Sequence, residues 1–206
     1  MTLIKICGLS RAEDIIAANR ARPDFIGFVF APSRRQISER QAARLAEVLD
    51  PKIKAVGVFV NERSERIVRL FEQGIIQMAQ LHGNEDVPML AELKAICPDL
   101  GLIKAYRPLP GADYLLLDNA KPGSGISLAN NGAAYAHLKQ QIDTSPLPVF
   151  LAGGINRENI DKALTLDPYC IDISSGAESE GIKDPQKMAQ LVNACRRPRQ
   201  KNGKEG

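Results

Sequence analysis

Only two histidines, His82 and His137, occur in the 206 residues, and neither sits in an H-E-x-x-H pair or beside an acidic cluster at ligand spacing. Imidazole-based zinc or iron chemistry is thereby disfavoured, and no metal site is expected. No stretch approaches 18 consecutive apolar residues, so the sequence offers no membrane span. A strand-like run already begins at Leu3, where a signal peptide would carry its leader, and the expected address is the cytoplasm. The four cysteines (Cys7, Cys97, Cys170, Cys195) form no C-x-x-C pair, which points to free thiols. Aromatics make up 5% of the chain and are not interleaved with a basic stripe, so no nucleic-acid partner is expected. The net charge of +3 does not alter that reading. Residues 196–206 hold five of the 27 basic and one of the 24 acidic residues, leaving a near-neutral body of 22 against 23 and a basic tail read as disordered.

What is present is an ordinary enzyme composition, 44% hydrophobic and 25% charged with 16 glycines, in a length that suits one domain over residues 1–195. Short β-branched or apolar runs recur at Leu3–Cys7, Phe25–Phe30, Lys54–Val60, Ile76–Leu81, Gly101–Tyr106, Tyr114–Asp118, Pro148–Leu151 and Tyr169–Ile173. Helix signals lie between most of them. Ser10 with Glu13, Ser38 with Gln41, Pro88, Asn156 and Asp184-Pro185 mark starts, whereas Pro23 and Gly74 mark stops. After the fifth run, Arg107-Pro108-Leu109-Pro110-Gly111 is too short and proline-rich for a crossover helix. Eight strands, each followed by a helix or its remnant, predict an α/β fold: a compact (β/α)8 barrel with the fifth helix reduced or missing. An open doubly wound sheet would want G-x-G-x-x-G after the first strand, and Cys7-Gly8-Leu9-Ser10-Arg11-Ala12 does not supply it.

Alternation within strands places Lys5 and Cys7 inside the barrel with Tyr114, Leu116 and Asp118, while Ile4, Ile6, Leu115 and Leu117 turn toward the helices. Cys7 and Asp118 then reach the mouth from well-separated strands, as a base and an acid facing one pocket would. Two plainer readings stay open: a small buried hydrophobe for Cys7, and a cap or loop hydrogen bond for Asp118. The pairs Gly153-Gly154 and Ser174-Ser175-Gly176 end the last two strands, where such barrels cradle phosphate, and Gly125 in Gly123-Ser124-Gly125 adds a third wall. Arg35 could grip a substrate carboxylate with its fork, although most exposed arginines do no such thing. His82 is the histidine at a strand end.

These residues together resemble the phosphoribosylanthranilate isomerase family of tryptophan biosynthesis. Lys5-Ile6-Cys7-Gly8, Gly27-Phe28-Val29-Phe30 with Ser33-Arg34-Arg35, Gln80-Leu81-His82-Gly83, Leu117-Asp118, Leu151-Ala152-Gly153-Gly154-Ile155, and Ser174-Ser175-Gly176-Ala177-Glu178 with Gly181-Ile182-Lys183-Asp184 carry the likeness over about residues 3–190. It implies a (β/α)8 barrel performing an Amadori rearrangement of a small phosphosugar, N-(5-phosphoribosyl)anthranilate, as monomer or homodimer and without cofactor. By motif, Cys7 would be the general base, Asp118 the general acid and Arg35 the contact for the anthranilate carboxylate. One stretch departs from the family pattern. Gly123-Ser124-Gly125 usually precedes Lys or Gln, Thr and an aromatic-rich Phe-Asp-Trp, and here it precedes Ile126-Ser127-Leu128-Ala129-Asn130. That departure favours the alternative of a non-catalytic phosphate-binding barrel.

Ionisation sets the task for such a pair. An ordinary thiol is about 3% thiolate at pH 7 and an ordinary aspartate roughly 0.1% protonated, so both groups need help from their surroundings. Inward-facing Lys5 is expected to favour the thiolate by charge, and desolvation to favour the protonated acid.

Overall fold

A computed structural model describes residues 1–118 and 132–197. Eight parallel strands close on themselves in sequence order: β1 (Leu3–Cys7), β2 (Phe25–Val29), β3 (Lys54–Phe59), β4 (Met78–Leu81), β5 (Gly101–Ala105), β6 (Tyr114–Asp118), β7 (Val149–Ala152) and β8 (Cys170–Ile173). Among the described residues seven α-helices surround them: α1 (Ala12–Ala21), α2 (Glu39–Glu47), α3 (Ser64–Glu72), α4 (Val87–Ile96), α5 (Gly132–Asp143), α6 (Ile160–Thr165) and α7 (Pro185–Arg196). Residues 106–113, between β5 and β6, form turns with no helix, as the prolines at 108 and 110 dictate. The predicted (β/α)8 barrel is therefore the observed fold.

Strand alternation sorts the core into two regions. Phe25, Val56, Met78, Ile103, Leu116, Phe150 and Cys170 fill the barrel interior. Residues of the opposite parity, among them Ile4, Ile6, Ile26, Leu102, Leu115 and Ile171, join the buried faces of the helices in the larger outer core. Burying an aliphatic side chain of this size contributes about 1.5–3 kcal/mol, so both layers are needed to stabilise a closed barrel.

Several boundaries differ from the sequence expectation. Ser10 does not cap α1; the Ser10 and Arg11 backbone N–H groups both donate to the Asp14 carboxylate, at 2.9 and 3.1 Å. Asp14 rather than Glu13 does so because it is the residue that turns inward and is buried. Ser38 caps α2 as expected, accepting from the Gln41 N–H, and Asp184 caps α7, accepting from Gln186 and Lys187. Asn156 caps a turn that leads into α6, which begins only at Ile160. Arg196 was expected in the tail but is the last residue of α7, where it donates to Asp24 at 2.8 Å; residues 198–206 lie outside the described residues.

Beyond β8 the chain adds an unanticipated device. A short 3₁₀ turn, Ser175–Ala177, leads into a two-stranded antiparallel hairpin of β9 (Glu178–Ser179) and β10 (Ile182–Lys183) before α7 begins. Its Glu178 meets Arg34 and Arg35 in the loop that follows β2.

Candidate active site

The carboxyl ends of the strands enclose a cavity of about 340 Å³, lined by Cys7, Arg35, Gln80, His82, Asp118 and Asp172 together with Gly153, Gly154, Ser174 and Ser175. The thiol and the carboxyl singled out by alternation thus share one cavity. A larger cleft of about 580 Å³ opens at the other end of the barrel, between Met1, Pro146, Pro148, Pro168 and Tyr169. It is lined by no thiol and no opposed acid and base.

Cys7 reaches the cavity because β2 leaves it room. Its register partner is Gly27, where a Cβ would lie 2.6 Å from Sγ. Beneath it, Lys5 is fully buried and its Nζ donates to Asp172 Oδ2 at 2.8 Å, joining the first and last strands where the barrel closes. Burial by itself would lower the lysine's pKa, but the negative charge of Asp172 and of a Cys7 thiolate outweighs it and leaves Lys5 firmly protonated. For Cys7 the balance runs the other way. Burial pushes the thiol up, Lys5 pulls it down only in part, and Asp172 adds to the rise. Lys5 thus favours the thiolate by charge, as expected, but burial outweighs it, and its charge is already shared with a carboxylate.

Asp118 ends β6 and is partly exposed to the cavity, 3.9 Å from His82 Nε2. Burial lowers the pKa of His82 against the opposing pull of Asp118, which favours the neutral ring. With the Gln80 amide nitrogen placed against Nδ1 at 3.2 Å, Nε2 carries the hydrogen and donates to the Tyr106 hydroxyl at 2.6 Å. Tyr106 holds its phenol there from a left-handed backbone, φ +71°, a strained conformation for an aromatic residue and one that functional sites tend to retain. Gln80 Oε1 and Asp172 Oδ1 are both buried without a hydrogen-bond partner in the described structure. Their residues line the cavity, so each unpartnered atom is a ready contact for a polar ligand.

The two expected phosphate loops meet. Gly176 passes so close to the loop after β7 that a Cβ would lie 2.0 Å from the Ile155 carbonyl oxygen. Gly154 and Ser175 therefore border both the main cavity and an adjoining cleft of about 320 Å³, which also takes in Gly176, Arg157 and Lys187. Gly125 and the rest of its loop lie outside the described residues.

Arg35 stands at the rim and is not a lone arginine. Its Nε and Nη2 donate to Glu178 at 2.7 and 3.0 Å. Glu178, Asp172, Gln80 and Tyr106 were missed in the sequence as site residues. For Asp172 and Gln80 a signal existed, since each shares its strand's inward parity; Glu178 acquires its place only through the hairpin.

Among the described residues no cluster of histidine, cysteine and carboxylate side chains suits a metal ion, and no helix is long and apolar enough to cross a membrane. The chain is 41% identical to N-(5'-phosphoribosyl)anthranilate isomerase of Lacticaseibacillus casei over 95% of this chain and 96% of that one. It is 43% identical to the enzyme of the same name from Lactiplantibacillus plantarum, over 93% and 91%. Among solved structures, phosphoribosyl anthranilate isomerase from Thermus thermophilus superposes with a TM-score of 0.78 at 34% identity, over 94% of this chain and 98% of that one. A phosphoribosyl anthranilate isomerase in complex with reduced 1-(o-carboxyphenylamino)-1-deoxyribulose 5-phosphate superposes with a TM-score of 0.77 at 28% identity and the same coverage. Residues 4–194 match the family described as N-(5'phosphoribosyl)anthranilate (PRA) isomerase, and the chain belongs to that family.

Proposed function

We propose that the chain isomerises N-(5-phosphoribosyl)anthranilate to 1-(2-carboxyphenylamino)-1-deoxyribulose 5-phosphate, a step of tryptophan biosynthesis. The observation that carries this reading is the single cavity in which a thiol, a carboxyl, an arginine and two glycine-serine loops converge. The substrate presents a phosphate at one end and a benzoate at the other. The loops at Gly153-Gly154 and Ser174-Ser175-Gly176 suit the phosphate through backbone N–H groups, and Arg35 suits the benzoate carboxylate. Asp172 Oδ1 and Gln80 Oε1, otherwise without partners, accept hydroxyl or amine hydrogens of the sugar between them.

In this arrangement Asp118 protonates the ribose ring oxygen, and the ring opens to a Schiff base between C1 and the anthranilate nitrogen. The Cys7 thiolate then removes the proton from C2, giving an enolamine. Tautomerisation of the enolamine to the ketone completes an internal redox exchange in which C1 is reduced and C2 oxidised, so no external oxidant is consumed. A general base and a general acid each contribute about 10²–10⁴-fold to such a step. Lys5 moderates the cost of the thiolate, and His82, kept neutral by burial, places no full positive charge beside Asp118.

Every side chain invoked comes from one chain, so the chemistry asks for no partner subunit. The test is the loss of the fluorescence of phosphoribosylanthranilate when the protein is added. Cys7→Ala and Asp118→Asn are each expected to lower kcat by about 10²–10⁴-fold with an unchanged circular dichroism spectrum. Near-full turnover in either folded variant would remove that residue from its assigned role, and no turnover by the native chain would leave a phosphate-binding barrel.

A further inference from the structure

Glu178 takes no part in the chemistry above, yet its side chain is only 4% exposed and gathers three cations: Arg35, Arg34 at 2.8 Å and Lys183 at 2.5 Å. A buried carboxylate persists where its partners are well placed, and these come from two distant segments, the β2–α2 loop and β10. Together they hold its pKa near 2 against the opposing effect of burial, so it is ionised at neutral pH.

The way Glu178 meets Arg35 carries the inference. A guanidinium has five N–H donors and two edges capable of gripping a carboxylate: the side edge of Nε and Nη2, and the end edge of Nη1 and Nη2. Glu178 occupies the side edge with both oxygens. Among the described residues the end edge has no partner of its own, and the residue lines the substrate cavity. The aliphatic stem is fixed as well, since Arg35 Cδ lies 2.4 Å from where a Cβ on Gly8 would stand. Lys183, bonded to the same carboxylate, donates to the Ser174 carbonyl oxygen at 3.0 Å, which ties this cluster to the second phosphate loop.

We propose that Glu178 is a positioning residue for substrate recognition: it holds the side edge of Arg35 so that the end edge meets the benzoate carboxylate, at a fixed distance from the phosphate loop. The inference rests on the reading of Arg35 given above. It makes the hairpin a measuring device, because one carboxylate sets the spacing between the two sites that bind the two charged ends of the substrate.

Steady-state kinetics of Glu178→Gln, which keeps the shape and loses the charge, test it. KM for phosphoribosylanthranilate is expected to rise by about ten- to a hundredfold with kcat little changed, the pattern of a lost binding contact. Inhibition by anthranilate should weaken in parallel, whereas inhibition by inorganic phosphate should hold. Arg35→Ala should show the same selective loss, and the Arg35→Ala/Glu178→Gln double variant should be no worse than Arg35→Ala alone. A tighter KM in Glu178→Gln would mean that Glu178 competes with substrate for Arg35, and fully additive losses would mean that it acts elsewhere; either overturns the proposal. Should Glu178→Gln fail to fold, Glu178→Asp keeps the charge for Lys183, lies one methylene short of Arg35, and is expected to show the same selective loss. If Arg35→Ala leaves anthranilate inhibition untouched, the reading of Arg35 itself fails, which is a different outcome from an insensitive Glu178 beside a sensitive Arg35.

Discussion

At the scale of single residues, Cys7 illustrates how a buried thiol can be a base without being a strong acid. Burial raises its pKa and Lys5 restrains the rise, so the thiolate fraction increases with pH beyond the ordinary thiol range. The rate at which Cys7 reacts with iodoacetamide, which reads the thiolate alone, is therefore expected to keep climbing above about pH 8.5. Lys5→Met removes the larger cationic influence and leaves Asp172 uncompensated, so the midpoint of that climb should move to still higher pH; a midpoint that moved down would contradict the assigned electrostatics. Gly8 offers a second test. Its backbone sits at φ +83° and its missing Cβ gives passage to Arg35, so Gly8→Ala should cost about 1–3 kcal/mol in a denaturant melt and raise KM by displacing the arginine. The sequence disclosed Cys7, Asp118 and Arg35 through strand parity and motif, because parity is a local property. It did not disclose that Lys5 is neutralised by Asp172, because that pairing depends on β8 closing against β1, 167 residues away.

The hairpin and its neighbouring helix show the same contrast at the scale of elements. Glu180 and Gly181 both take positive φ, at 53° and 81°, the geometry of a two-residue turn that fits strand twist. Asn-Gly or Asp-Gly would have announced such a turn, whereas Glu-Gly between two-residue strands did not, and Glu178 stayed hidden with it. The start of α7 was legible, since aspartate followed by proline is a local signal. Asp184→Ala should destabilise the protein by about 1 kcal/mol through loss of the cap, visible as a lowered Tm. Acid sensitivity belongs to this element too. A carboxylate depressed to about 2 contributes stability above the ordinary glutamate range and loses it as the pH falls from about 4.5 toward 2. Acid unfolding of Glu178→Gln should accordingly be shallower across that window than that of the native chain.

For the whole molecule, charge ties β5 to the segments that follow β3 and β4. Lys104 is buried with Glu85, and its Nζ donates to the Leu81 and Gly83 carbonyl oxygens as well as to that carboxylate, while Glu85 also receives the Asn61 and Gly83 backbone N–H groups. Lys104→Ala strands a buried carboxylate and should cost about 3–5 kcal/mol in global stability, measured by urea denaturation. The barrel itself was readable from eight apolar runs and the proline-rich break, because period and punctuation suffice for topology. The strut was not, since lysine on an outward face reads as a solvated residue until the loop after β4 is seen to cover it with Glu85.

The closure of β8 onto β1 has a consequence for synthesis. The last strand and the turns beyond it supply Asp172, Ser174, Ser175 and Glu178, so these groups leave the ribosome some 165 residues after Cys7. A nascent chain that has reached β7 holds Lys5 without its counter-ion and Arg35 without its clamp. Catalytic competence therefore arrives late and all at once, and a chain cut short before β8 is left with its thiol but without an assembled pocket.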